Sequence, residues 1–314
     1  MKGSNVEGSK NARRARGERV AETFIMACAI LLIVTTAAVI VMIAAKGTAI
    51  FRGERDRPGA RLWDVLAGLR WDPQSPVDKG GPALGLVPFV AGTAMVSLLA
   101  LAISAPVGIA CAVVLTDIAP GWAQRVLEPA VAVLAGIPSV VYGWVGLSTV
   151  VPFVRQHLGG LGFSVLAGGL VLSAMILPTV VSVSADALRG VPASLREAAY
   201  SLGSTRWQVI RRVVIPSSSA GIMTAVVLAL SRSCGEALAV QMVIGNVKRV
   251  PSSVLSPAVT LTTGMAMDMG NTVAGSLWND ALWTMALVLL AMSLIFTLTV
   301  RVVSRVATKG ERSA

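Results

Sequence analysis

The sequence is poor in the side chains that do chemistry. It has one histidine, two tyrosines, three cysteines and 16 acidic residues in 314 positions. Cys28, Cys111 and Cys234 stand singly in three separate apolar stretches, so they offer neither a CxxC pair nor a metal-ligand spacing. His157 lies in a short loop with no partner beside it. No GxxxxGK[ST] occurs, so the chain has no Walker A cradle for nucleotide phosphates. HExxH, GxSxG and a paired-carboxylate site are also missing. An enzyme embedded in a membrane would need Asp, His or Ser gathered at a membrane face, and a single histidine leaves few options for it.

Charge is scarce too. Charged residues make up 14% and hydrophobic ones 54%, against about 25% and about 45–50% in a soluble domain. The apolar excess comes in blocks. Crossing a bilayer as a helix takes roughly 20 mostly apolar residues, and six stretches qualify: Thr23–Ala45, Val87–Leu115, Pro129–Val151, Phe163–Ala185, Ala220–Ile244 and Ala281–Val300. The expected fold class is therefore an all-α polytopic membrane protein with six transmembrane helices. Its expected divisions are a basic segment 1–22, a first span 23–45, an outer loop 46–86, a core 87–303 and a tail 304–314. The first apolar stretch exceeds the roughly 7–15 residues of a signal peptide's core, so it reads as a permanent anchor.

The net charge of +11 does not point to nucleic acid, because Lys and Arg cluster beside the spans. With both termini in the cytoplasm, 16 of them fall inside and ten outside, seven of the ten in loop 46–86. The implied partner is a lipid bilayer. Loop 46–86 holds Trp63 and Trp71; it reads either as a solvated connector with interfacial tryptophans or as a docking surface for an outer partner. Pro106, Pro138 and Pro178, in or near spans, are candidate kinks.

The inner segment 186–219 is too patterned for a tether. Ser194-Leu-Arg-Glu197 fits a capping box, and Leu195, Ala198, Ala199 and Leu202 follow at helical spacing. Gly203 suits the left-handed residue that ends a helix. A second box, Thr205-Arg-Trp-Gln208, restarts the chain, and Pro216 is expected to stop it. Two short amphipathic helices meeting at a glycine are predicted. They either lie on the membrane surface, with Arg206, Arg211 and Arg212 at the headgroups, or form an elbow that a cytoplasmic protein grips. A helix-turn-helix for DNA looks similar, but both ends are tied to membrane spans.

Glu197-Ala198-Ala199, three residues, Gly203, nine residues and Val213-Val214-Ile215-Pro216 resembles the EAA loop of ABC-importer permeases. The resemblance implies a type I ABC importer permease (MetI-like) fold. It also implies that Glu197, Ala198, Ala199, Gly203 and Pro216 belong to a loop docking into a separate ATPase subunit. ATP and magnesium would then be cofactors of that subunit, with none in this chain.

The fifth stretch alone contains ionisable groups, Arg232 and Glu236 in SRSCGEALAV (231–240). Four residues apart on a continuous helix, they would share a face with room for an ion pair. A charge at a helix centre costs about 2.5–3.5 kcal/mol on insertion scales, so such groups normally face protein or a watery path. The pair could fix helix packing. Alternatively Arg232 could offer its planar fork to an oxyanion, with Glu236 holding the guanidinium and weakening the site enough for release. In IPSVVYG (137–143), the Ser139 and Tyr142 hydroxyls could donate to an anion or bond a neighbouring backbone.

LSRSCGEALAVQMVIGN (230–246), GIPSVVYGWVGL (136–147), LRWDP (69–73) and residues 85–121 together are similar to the PstC permeases of phosphate-specific ABC importers, with Ser231 and Ala237 where Gly and Thr are usual. That resemblance implies phosphate passage with Arg232 and Glu236 in the path. It also implies a PstA-like second permease, a PstB-like ATPase dimer and a PstS-like phosphate-binding protein. Sulfate or another oxyanion would satisfy the same arginine chemistry. An ion-coupled carrier would be expected to show repeats and several intramembrane acids.

Overall fold

A computed structural model describes residues 4–52, 61–75 and 81–312, and side chains over residues 22–302 of these. In chain order the helices are α1 (Ser4–Gly47), α2 (Ala49–Arg52) and α3 (Leu62–Leu66), followed by a two-stranded hairpin of β1 (Trp71–Asp72) and β2 (Ala83–Leu84). Next come α4 (Val87–Val113), α5 (Gly121–Gly136), α6 (Ser139–Val145), α7 (Val151–His157) and α8 (Val165–Arg189). Then follow α9 (Ala193–Ser201), α10 (Arg206–Val209), α11 (Ile215–Ser217), α12 (Ser219–Gly235), α13 (Leu238–Gln241), α14 (Leu261–Asp268) and α15 (Leu277–Arg312).

Four helices are long and apolar enough to cross a bilayer unbroken: Glu22–Arg52, Val87–Ile118, Val165–Arg189 and Leu277–Val302. The count reaches six when two bent pairs each form one span. The third predicted span bends by 94° between Gly136 and Ser139, at Pro138, which cannot donate a helical hydrogen bond. Pro106 and Pro178 instead sit within α4 and α8.

Prolines also follow three π-turns. Val114–Ile118, Gly146–Val150 and Ile210–Val214 each end two residues before a proline, Pro120, Pro152 and Pro216. In each, the residue just before the proline donates to a carbonyl five back: Ala119 to Val114, Val151 to Gly146, Ile215 to Ile210. At Pro120 the helix then ends, with Ala119 extended. Where the helix continues, at Pro152 and Pro216, the proline ring clashes with the carbonyl four residues earlier and the wider turn relieves it. So Pro216 does not stop its helix as expected. The helix runs to Ser217, and a 67° bend separates it from α12.

The core is the packing of α4, α8 and α12, made close by small residues. Gly108 faces Val180, Gly168 faces Val96, Gly169 faces Leu99, and Gly221 faces Ala187. The buried cluster here includes Val96, Ala100, Leu172, Ile176 and Ala229. Helix α1 lies along α15, where Lys46 stands 5.3 Å over the Trp283 ring and the Thr284 hydroxyl donates to the Gly47 carbonyl (2.9 Å). The rest of α1 presents Phe24, Leu31, Leu32 and Val41 outward, a surface suited to lipid.

Of the two readings of loop 46–86, its described residues do not fit a merely solvated connector, and docking of an outer partner stays open. Trp71 is buried, packs edge-on to Phe89 at 5.2 Å and donates Nε1–H to Asp268 Oδ2 (3.0 Å). Lys248 Nζ lies 3.0 Å from both Asp268 oxygens. The hairpin is thereby joined to α14 as a folded cap over one end of the bundle. Trp63 is exposed.

Candidate functional site

Helix α12 stops at Gly235, and Glu236 takes an extended conformation (φ −75°, ψ 128°). The expectation of one continuous helix with Arg232 and Glu236 paired one turn apart therefore fails. The ion pairs among the described residues do not include Arg232 with Glu236. Glu236 instead holds the break open. Its Oε1 accepts the Ala239 N–H (3.0 Å), and its carbonyl accepts the Thr262 hydroxyl (2.7 Å). Both are groups that an uninterrupted helix would have satisfied internally, and at bilayer depth they need replacement partners. Thr262 sits in a threonine cluster at the start of α14, where Thr260 and Thr263 form a reciprocal cap. Sequence reading missed Thr262, because its contact spans 26 residues.

Arg232 lies in the last turn of α12, where the helix dipole favours a cation. It is exposed on this chain, while Ser233 and Cys234 beside it are buried. The Tyr142 phenol of α6 is within electrostatic reach of the Arg232 guanidinium. Tyr142 donates to the Leu134 carbonyl at the end of α5 (2.8 Å), so its hydroxyl ties the 94° bend and leaves its oxygen as an acceptor. Ser139 opens α6, one turn from Tyr142.

The two broken segments meet directly. A Cβ on Gly143 of α6 would lie 2.8 Å from Met242 Sδ and 3.0 Å from Ala239 Cα, so only glycine permits this approach of α6 to α13. The bent third span, which carries Ser139 and Tyr142, thus packs against the segment that follows Arg232 and Glu236. An aliphatic groove of about 580 Å³ lies elsewhere, between α4, α5 and α8, lined by Val107, Val114, Leu127, Val131 and Leu177 among others. It offers an anion no donor.

The elbow forms at the opposite end of α12. Gly203 has φ +79° with open space around it, as the glycine reading expected. The Thr205–Gln208 capping box is present. The Ser194–Glu197 box is not: Pro192 occupies the N-cap and Ser194 lies inside α9. Glu197 and Ala198 are exposed, together with Leu202 at 87% and Trp207 at 59% exposure, while Ala199 is half-buried against the core. Exposed apolar side chains around an acidic one suit a protein partner. Asp117, just past α4, is buried and ion-paired with Arg196; its carbonyl accepts from Arg206. This anchor was not anticipated, since Asp117 and Arg196 are 79 residues apart. Outside these sites, His157 stacks on Phe153 at 4.5 Å and its Nδ1 lies 3.0 Å from the Phe153 carbonyl.

Residues 104–309 match the family described as binding-protein-dependent transport system inner membrane component. The chain belongs to that family. It is a permease subunit of an ABC importer, a multi-pass membrane protein of the type I (MetI-like) fold. Among relatives of this inner membrane component, a protein of Bacillus subtilis strain 168 described as "probable ABC transporter permease protein YqgH" is 45% identical over 297 residues, 94% of each chain. The phosphate transport system permease protein PstC of Mesorhizobium japonicum is 35% identical over 281 residues, 82% of this chain and 84% of that one. Two solved structures share the fold. A bacterial alginate ABC transporter has a TM-score of 0.62 at 15% identity, covering 95% and 98% of the two chains. The MetNI methionine ABC transporter has a TM-score of 0.51 at 20% identity, covering 71% and 94%.

Proposed function

We propose that this permease passes inorganic phosphate from an extracytoplasmic binding protein to the cytoplasm, with both termini of the chain cytoplasmic. The observation that carries the reading is that Arg232 stands exposed in the last turn of α12, at the break of one span, where α13 beyond that break packs directly on Gly143 of the other bent span. A guanidinium presents a planar fork of donors that matches phosphate oxygens, and broken helices at membrane depth are tolerated where they are buried in protein or line a cavity. Ser139 adds a hydroxyl one turn from Tyr142. Glu236 keeps the fifth span open rather than neutralising Arg232. The likeness to PstC permeases supports phosphate as the anion.

The chain does no chemistry of its own in this reading. A PstB-like ATPase dimer binds ATP and magnesium and docks on Glu197, Ala198, Ala199, Gly203 and the helix through Pro216. A PstA-like permease completes the passage, and a PstS-like protein delivers phosphate. Passage of another oxyanion is the second reading, because the Arg232 fork would suit sulfate as it suits phosphate; the name of the Bacillus relative states a permease and no substrate.

The test is uptake into proteoliposomes holding the whole complex. Radiolabelled phosphate should enter only with ATP, resist an excess of sulfate, and stop in Arg232→Gln although the complex assembles. Uptake blocked by sulfate would favour the second reading. Uptake that survives ATP removal but collapses with the proton gradient would contradict both.

A further inference from the structure

We propose that Asp117 is the positioning residue that couples the elbow to the transmembrane core, by gripping both of its arms at once. The inference rests on the reading that the elbow receives an ATPase. The Asp117 carboxylate pairs with Arg196 of α9, and its backbone carbonyl accepts from Arg206 of α10. Those two arginines lie on opposite sides of Gly203, the one left-handed residue of the elbow. Arg196 also donates to the Leu188 carbonyl at the end of α8 (2.8 Å), and the Thr116 hydroxyl donates to Asp117 Oδ2 (2.7 Å). The carboxylate is buried, so its charge is poorly screened by water and needs these partners.

The consequence is mechanical. Without the clasp, a force on α9 would flex the chain at Gly203, where nothing packs nearby, and dissipate. With it, the elbow, the inner end of α4 and the end of α8 move as one body. Helix α4 in turn packs on α12, where Cys234, two residues from Arg232, is buried. The elbow therefore reaches the candidate passage along two routes: covalently through the bend at Ser218, and laterally through Asp117 and α4.

The experiment compares phosphate uptake with ATP hydrolysis in proteoliposomes of the full complex. Asp117→Asn keeps the side-chain shape and the carbonyl that Arg206 uses, and removes only the charge. It should leave hydrolysis within about two-fold of wild type and lower the phosphate moved per ATP by about ten-fold, within the usual range of coupling energies. Arg196→Gln should do the same, and the double variant should be no worse than either alone. Asp117→Lys combined with Arg196→Glu should recover part of the ratio. Unchanged phosphate per ATP in Asp117→Asn overturns the proposal, as do defects that multiply in the double variant. Failure of Asp117→Asn or Arg196→Gln to assemble also overturns it, because the pair is then a folding element. The wild-type control separates this from the substrate reading: a wild type that hydrolyses ATP but moves no phosphate contradicts phosphate as cargo, and the same ratios are then taken with sulfate.

Discussion

At the scale of single residues, Glu236 is the side chain whose role the structure changes most. A carboxylate placed four residues after an arginine suggests a pair, and the helix geometry behind that suggestion holds only while the helix continues. Here it ends at Gly235, and the carboxylate is used on the Ala239 N–H instead. This ranks two substitutions. Glu236→Gln keeps an oxygen that can accept the same N–H, whereas Glu236→Ala strands a donor at a cost of about 1–3 kcal/mol. Thermal unfolding of the purified complex should therefore show a clear loss for Glu236→Ala and a smaller one for Glu236→Gln. The opposite order would mean that charge, and not the hydrogen bond, holds the break.

At the scale of elements, the readable features were those set by local chemistry. The glycine elbow and the Thr205 cap follow from neighbours within one helical turn and are present, while of the six apolar stretches four form unbroken spans and the third and fifth are broken. The bend at Pro138 was legible for the same reason. The break at Glu236 contains no proline, and its stabilising partner Thr262 comes from a distant segment. The Ser194 box looked equally sound, but with Pro192 at the N-cap the helix starts two residues too early for it. Gly203 gives the element-scale prediction. Its φ of +79° costs a residue with a Cβ about 1–2 kcal/mol, while Asn tolerates such angles. Gly203→Asn should transport near the wild-type rate, and Gly203→Val should hydrolyse ATP without matching uptake. Equal transport by both variants would show that the elbow does not need its left-handed turn.

At the scale of the whole molecule, the two ends of the bundle are closed in different ways. One end carries the elbow and its Asp117 clasp. The other is capped by the hairpin, pinned through Trp71, Asp268 and Lys248 over a sequence separation of 197 residues. No local pattern links Trp71 to Asp268, which is why a solvated connector stayed among the readings of the loop. Removing the shared acceptor should free the cap: Asp268→Ala should speed proteolytic cleavage within residues 61–86 of the intact complex several-fold relative to wild type. Unchanged cleavage would show that apolar packing of Trp71, Leu84 and Leu86 around Phe89 anchors the cap without Asp268.

Between these ends lies the proposed passage, in which Arg232 is expected to face water at some stage of the cycle. The direct measurement is the reactivity of Arg232→Cys toward a water-soluble thiol reagent, in complexes whose native cysteines are replaced, with and without ATP. A thiol at 232 that is modified, at a rate differing several-fold between the two states, is the predicted result. A thiol that stays unreactive in both states, while Leu202→Cys on the exposed elbow labels normally, would place Arg232 in a dry helix seam and contradict the account.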